Sequence, residues 1–573
     1  MLRRAAALQA AGDAPGAAAL YCQVVAAEPR NAVAWALWGG ALLAAGDGAS
    51  ALDALKTVAM LAPRDYDIAV EHTIVLQAAG RPADAIDVLA GRDARLRDSE
   101  RAKAVLADAL AASGRVPDAV AHYQRILALA PENNAARIAL GVCQQRLDDL
   151  PAAVESYRAA LALDPDADDA WSNLGLALAA LGQMSQAIEA LNKAVALNAD
   201  DAATCCNLGT ALQKDGCGAE AVVCFENVIA RNPDYADAWG NLGNARQVQR
   251  RLDDALAAHD RAVSLAPGNA EIHWNRAMTL LLSSDFDTGF AEYEWRLQTT
   301  SHAPPGHKSP RWKGGDLAGG HILLLAEQGF GDAIQFVRYA PILQCGGARV
   351  TVQCAAKLAP LFETLDGAPA VIPFGGNTPP VDCHAPLMSL PYLLGTKLDN
   401  VPAEIPYFRA PGDAMPPPAG DGRMRVGLCW AGSPAHPDDA RRSCPAAELA
   451  PLLARRDIAW ISLQYGSQAS AFADAGHRLE DWSDRLDGFA STAAAMGALD
   501  LVIMVDTATA HLAAALGRPT WLMLKYSPDW RWMLDRTDSP WYSTMTLFRQ
   551  ATPGDWAGVV ARLQTALEGW MDG

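Results

Sequence analysis

Proline recurs through the first half of the chain at Pro29, Pro63, Pro131, Pro165, Pro233 and Pro267, each interval being 34 residues or twice 34, with Arg97 and Ala199 at the two skipped positions. A fixed period of this size excludes one compact core, because each unit repeats a local pattern instead of closing on itself. Within the period, "WSNLGLALAALGQMSQAIEALNKAVALNAD" recurs as "CCNLGTALQKDGCGAEAVVCFENVIARNPD" and "WGNLGNARQVQRRLDDALAAHDRAVSLAPG". Each copy holds two helical apolar patterns split by a short polar or glycine-containing turn. Two short helices cannot bury their apolar faces alone, so the units stack into a superhelix with a concave face suited to a peptide.

This pattern resembles the tetratricopeptide repeat and predicts an α-solenoid over residues 1–295 with period 34. One column, Asn173, Asn207, Asn241 and Asn275, falls on the first helix of consecutive repeats. An amide both donates and accepts, so four in register can hold the backbone of an extended peptide; the plainer reading is that they bond neighbouring helices or face water. The column resembles the asparagine ladder of the O-linked N-acetylglucosamine transferases, which carries the acceptor protein. That resemblance implies a protein client.

Composition narrows the partners. A formal charge of −18 argues against nucleic acid, whose phosphates call for a basic excess. Eleven cysteines without a CxxC pair suit a reducing cytosol and make a structural zinc site improbable. No window approaches the ~18 consecutive apolar residues of a spanning helix, and "MLRRAAALQAAGDAPGAAALY" reads as a first helix, not a secretory signal. The expectation is a soluble, cytoplasmic protein without stable membrane insertion.

Past a Pro, Gly and His-rich linker, residues 296–318, short apolar runs alternate with helical segments: "HILLLA", "ARVTVQC", "AVIPF", then "MRVGLCW", "IAWISLQ", "LDLVIMVD" and "PTWLMLK", with "DWAGVVARLQTALEGWM" as a closing helix. Strands of this kind predict parallel sheets with crossover helices. They form two groups divided at the proline-rich "APGDAMPPPAGDG", giving two tandem Rossmann-like halves, 319–412 and 420–573, with a cleft between them. In "EQGFGDAIQFVRY" the glycines follow the first strand, at the carboxyl end of the sheet where such folds bind ligands. Asp332 then opens a helix, where an acid is also simply favourable to the helix dipole.

Three segments together, "LAEQGFGDAIQFVRYAPIL", "VGLCWAGSPAHPDDARRS" and "LVIMVDTATAHLAAALGRPTWLML", resemble the catalytic region of glycosyltransferases related to the bacterial heptosyltransferases, of GT-B architecture. Joined to the repeats, the chain is similar to bacterial tetratricopeptide glycosyltransferases, some of which modify flagellin with sialic-acid-like nonulosonic sugars such as pseudaminic acid. The resemblance implies an inverting, metal-independent enzyme with an acceptor-side first half and a donor-side second half. It puts Asp332 at the position of the catalytic general base. It implies a donor site of Gly329, Gly331, Gln335, Trp430, Gly432, Ser433, Arg442, Gln464, Asp506, Thr507, Ala508 and His511. Here "DTATAH" matches a D-[ST]-G-x-x-H loop with Ala508 where a glycine is common, and as a strand-to-helix turn it offers backbone N–H groups to a nucleotide phosphate. Arg442, with Arg441 as substitute, suits the leaving phosphate because a guanidinium bonds it in pairs. His436 in the same loop has no clear part.

The segment "KYSPDWRWMLDRTDSPWYSTMTLFRQ" has two readings: core packing, or a cleft mouth where Trp530, Arg531 and Trp532 meet sugar or base. "PDDA" at Asp438 and Asp439 is the one near candidate for a metal loop, and the expected enzyme takes a nucleotide-sugar as co-substrate with no cofactor. Two other readings stay open: a glycosyltransferase acting on lipopolysaccharide or another glycan, and a scaffold with a degenerate catalytic half. UDP, CMP and ADP donors are equally compatible.

Overall fold

The computed structural model of the protein describes residues 1–62, 66–90, 100–300, 306–410, 422–436, 438–465 and 479–571. Pro63 and Arg97 of the repeat period lie outside the described residues, as does most of the proline-rich divider. The chain forms two compact units, Met1–Asn232 and Pro233–Gly573.

The first unit is built of helix pairs such as Asn134–Arg146 with Leu150–Leu163, and Asp168–Ala180 with Met184–Leu197. Short polar residues start many of these helices: the Asn133 side chain accepts from Ala136 N at 3.0 Å and that of Asp47 from Ser50 N at 3.1 Å, satisfying otherwise orphaned donors. The turn inside each pair carries the period more faithfully than proline does. Residues 12, 46, 80, 114, 148, 182, 216, 250 and 284 all have left-handed backbone, with φ from 61° to 96°. Six are glycine, which adopts this conformation without steric cost, and Asp148, Arg250 and Ser284 fill the rest.

Sterics set a second column. A Cβ on Gly141, Gly175, Gly209 or Gly243 would lie 2.5 to 2.6 Å from the side chain of Tyr157, Leu191, Phe225 or His259 respectively, so the bare backbone lets the paired helices close. The proline period has its own account. Proline cannot continue a helix, and its carbonyl is taken up by the next helix: Trp35, Trp171 and Trp239 donate Nε1–H to Pro29, Pro165 and Pro233 at 2.9, 2.8 and 2.8 Å.

The second unit begins with four more repeat helices, Ala236–Val248, Leu252–Leu265, Ala270–Leu282 and Phe286–Tyr293, and a 3-10 turn, Glu294–Gln298. Among the described residues ten strands follow: β1 (His321–Leu325), β2 (Arg349–Cys354), β3 (Ala370–Pro373), β4 (Cys383–Pro386), β5 (Met424–Cys429), β6 (Ile458–Ser462), β7 (Leu479–Asp481), β8 (Leu501–Val505), β9 (Thr520–Leu524) and β10 (Met545–Arg549). They make two parallel sheets, ordered β3-β2-β1-β4 and β10-β9-β8-β5-β6-β7. In each, the first strand of its group lies inside the sheet: Ile322 of β1 pairs with Val350 and Cys383, and Val426 of β5 with Trp460 and Leu501. β8 and β9 are buried throughout, as parallel strands covered on both faces must be.

All seven runs singled out in the sequence are strands, and the closing helix runs Trp556–Met571. Three strands went unread. β4 is the four residues "CHAP", β7 is the polar "LED", and β10 lies in the aromatic stretch that reads as packing surface.

The last repeat helices share a core with the sheets. Phe286, Phe290 and Tyr293 belong to the same buried cluster as Ile322, Leu324, Phe336, Met504, Leu522, Trp530 and Trp541. The division between compact units therefore falls two helix pairs before the change from helix to strand. Arg250, in its left-handed turn, donates Nε–H to the Tyr526 carbonyl at 2.6 Å and lies 3.9 Å over that ring, which explains a side chain where other turns use glycine.

Candidate functional site

β1 ends under the loop 326–329, and helix α1 (Phe330–Phe336) starts from Gly329 as its N-cap. Glu327 in this loop is buried and chelated by Arg296, whose Nη2 and Nε donate to its two oxygens at 2.7 and 3.1 Å; Met388 N–H adds a third bond at 3.1 Å. Arg296, fully buried, also donates to Ser389 Oγ at 2.9 Å and Glu294 at 2.7 Å. The residues of the 3-10 turn thus anchor the loop that aims α1.

Asp332 stands in the first turn of α1, its Oδ2 accepting from Gly329 N–H at 2.8 Å. Its other oxygen takes an ion pair from Arg531. That arginine donates Nε–H to Gln335 Oε1 at 2.6 Å and Nη1–H to Asp529 at 2.8 Å, and stacks 4.5 Å from the Trp530 ring. Burial raises the Asp332 carboxyl above the usual carboxylate range, and Arg531 only partly opposes it.

The second loop comes from β8. Asp506 follows the strand, and helix α2 (Ala508–Ala515) starts after Thr507. Trp532 donates Nε1–H to Asp506 Oδ2 at 2.9 Å, and His511 Nε2 lies 4.0 Å from Oδ1. Burial, with the charge of Asp529, pushes Asp506 up to about 6, against the Trp532 bond, Arg531 and Arg442. His511 is held well below its ordinary value, first by burial and then by Arg531 and Arg338.

The two helix starts meet. A Cβ on Gly331 would lie 2.9 Å from His511 Cδ2 and 3.4 Å from Ala508 Cα. Gly331 of α1 therefore supplies the close approach at a place where the second loop itself carries alanine.

After β5, Gly432 sits against a compact cluster. A Cβ there would fall 2.5 Å from both Arg442 Nη2 and Asp439 Oδ1, and Gly432 N–H donates to Ser443 Oγ at 3.0 Å. Arg442 is tied to Asp439 at 3.4 Å, while Ser433 is exposed. Arg441 is exposed 4.0 Å from Asp438, and Lys525 pairs with Asp438. Gln464 and Trp430 are structural here. Gln464 is buried beneath the loop, accepting from Trp430 N and Ala431 N at 3.1 and 2.9 Å and donating to the Ala431 carbonyl at 3.1 Å; the Trp430 ring lies in the core.

The aromatic segment buries its tryptophans, as its core reading expects. Trp530 and Trp532 are core side chains, yet Arg531 and Trp532 bond the two aspartates. Arg338 and Tyr542, which bond around His511, were not singled out; the available signal was a lone charge inside the apolar run "AIQFVRYAPIL". In the repeats, Asn173 and Asn207 belong to the first unit and Asn241 and Asn275 to the second. All four are half-buried, and no side-chain hydrogen bond to another described residue engages them. Among the described residues no helix is long and apolar enough to cross a membrane.

Models of the tetratricopeptide repeat match residues 74–134, 168–201, 206–270 and 241–294, and a further TPR model matches 147–182. These segments are tetratricopeptide repeats. Over 354 residues the repeat-bearing chain is 28% identical to Protein FlbA of Caulobacter vibrioides, covering 55% of this chain and 58% of that protein's length. It is also similar to the Cut9-Hcn1 hetero-tetramer of the APC/C, at 18% identity over 45% of this chain and 52% of that one, TM-score 0.35. YrrB, a TPR protein with an unusual peptide-binding site, aligns at 24% identity over 32% of this chain and 91% of its own, TM-score 0.27.

Proposed function

We propose that this protein is an inverting protein O-glycosyltransferase of GT-B type, which captures a protein acceptor on its repeats and transfers a sugar from a nucleotide donor to serine or threonine. Flagellin as acceptor and a nonulosonic acid as sugar are what the resemblance to flagellin-modifying tetratricopeptide glycosyltransferases implies, a resemblance carried by the three segments together with the repeats. The supporting observation is the meeting of two helix starts, each at the carboxyl end of its own parallel sheet, at Gly331 and His511. Ligands of open parallel sheets bind at that edge.

In this reading the acceptor hydroxyl oxygen attacks the anomeric carbon and its proton passes to Asp332. The bond from that carbon to the phosphate oxygen breaks, and the electron pair leaves with the nucleotide. Burial gives Asp332 a higher proton affinity than an exposed carboxylate, which suits a general base. Arg442, beside Gly432, is the cation for the departing phosphate, and the N–H groups that open α2 face the same anion. The four asparagines, with their amides unspent on the fold, are the acceptor-holding groups.

The test is the intact mass of flagellin co-expressed with the protein and a nonulosonic acid pathway, beside the Asp332→Ala variant. A sugar-sized increment that disappears in the variant supports the reading. No increment, with no UDP, CMP or ADP sugar stabilising the protein, overturns it.

A further inference from the structure

His511 is buried, and its Nδ1 lies 2.9 Å from the hydroxyl of Tyr542, itself fully buried. Behind Tyr542 sits Arg338, a buried guanidinium 4.4 Å from the Tyr542 ring. Arg338 donates to the carbonyls of Gln335, Pro402 and Trp541 at 2.8, 2.9 and 2.5 Å and to the Tyr407 hydroxyl at 3.1 Å. None of these partners is a carboxylate, so the positive charge acts on the neighbouring hydroxyls. Tyr407 spends its own proton on the Ile334 carbonyl at 3.0 Å. The same guanidinium and the Tyr407 hydroxyl also bear on the Tyr542 oxygen. Tyr407 Oη already accepts from Arg338 and donates to Ile334, so His511 Nδ1, with no other donor among the described residues, is the neighbouring acceptor for the Tyr542 proton.

We infer that Arg338 and Tyr542 hold His511 as the Nε2–H tautomer, making it a hydrogen-bond donor to an oxyanion between Gly331 and Asp506. In a neutral imidazole one nitrogen accepts and the other carries the proton, so a Tyr542 O–H given to Nδ1 leaves the proton on Nε2. Nε2 stands 4.0 Å from Asp506 Oδ1, beyond hydrogen-bond range, and 3.5 Å from where a Gly331 Cβ would be. A donor is left unspent at the start of α2. The charged groups bearing on the ring are Asp506, Arg531 and Arg338; burial and the two cations keep it from taking a second proton. His511 is therefore a positioning donor and Asp332 remains the base. The inference rests on the proposed function only for naming the anion, a donor phosphate.

The test is the nitrogen NMR spectrum of the full chain labelled at histidine, with the His511 signals assigned by their absence in His511→Gln. The expected result is Nε2–H with unprotonated Nδ1, unchanged between about pH 6 and about pH 8, the range in which a free histidine titrates. Tyr542→Phe, which deletes only the hydroxyl, is expected to bring in the Nδ1–H form. A wild-type ring with Nδ1–H, or one that titrates in this range, overturns the inference, as does an unchanged tautomer in Tyr542→Phe. UDP and CMP are the ligand probes, and the variant is expected to weaken whichever binds by about tenfold, the worth of one good hydrogen bond. Binding of neither to wild type counts against the glycosyltransferase reading alone, since the tautomer spectrum decides the inference without a ligand.

Discussion

Arg531 reaches across 199 residues of sequence to pair with Asp332, the residue proposed as base. The same guanidinium holds Asp529 and Gln335, so one cation orders both sides of the acid. Removing it takes away the main influence that favours the Asp332 carboxylate against burial. In Arg531→Met the Asp332 pKa therefore rises, and the acid limb of the pH–rate profile moves to higher pH with transfer reduced roughly 10²-fold or more, the usual scale of acid–base catalysis. An unshifted acid limb in the variant would separate Arg531 from the titration of Asp332.

Gly331→Ala places a methyl group 2.9 Å from His511 Cδ2 and 3.4 Å from the Ala508 backbone. One side of that contact is backbone, so the helix starts must part. The expected cost is about 1 to 3 kcal/mol, as for overpacked cores, with nucleotide affinity lost as well. Melting temperature and UDP or CMP binding, measured on the same preparation, check both parts.

Glu327 and Arg296 form a buried ion pair with both carboxylate oxygens and all three guanidinium nitrogens bonded. Arg296 would keep Glu294 if Glu327 were lost, but Glu327 without Arg296 keeps only the Met388 N–H bond, so Arg296→Met should strand a buried carboxylate and destabilise the second unit by about 3 to 5 kcal/mol. The urea midpoint of the full chain, followed by tryptophan fluorescence, reads the loss.

His259 occupies the column of Tyr157, Leu191 and Phe225, fully buried against Gly243 with neither ring nitrogen hydrogen-bonded. Burial depresses its pKa to about 4 from 6.5. As pH falls below 6.5 the unfolded chain takes up this proton and the folded one does not. Stability is thus full above 6.5 and falls between 6.5 and about 4, by up to roughly 3 kcal/mol at about 1.4 kcal/mol per pH unit. His259→Phe should melt higher than wild type at neutral pH and by a wider margin near pH 5; a constant margin would show that His259 does not set the slope.

Asn173, Asn207, Asn241 and Asn275 make no hydrogen bond that the fold needs. Changing all four to alanine should leave the melting temperature near wild type, each site within about 0.5 kcal/mol, while capture of flagellin in a pull-down falls. A large drop in stability would return these residues to a structural role.

The repeats and strands were legible because their signals are local. A 34-residue period, a helical apolar spacing and a short apolar run bounded by turns each state their structure within a few residues, and "HILLLA" or "LDLVIMVD" needs no partner to be read as a buried strand. Asp332, Asp506 and His511 were likewise legible as residues of strand-to-helix turns. The local signal ends there. Tertiary structure alone decided that Arg531 answers Asp332, that Trp532 holds Asp506, that Gln464 is spent beneath the β5 loop, and that Arg338 and Tyr542 stand behind His511. The physical reason is distance along the chain. A buried charge must find its partner wherever sheet order and the last repeat helices bring one, and that path leaves no periodic trace in the sequence.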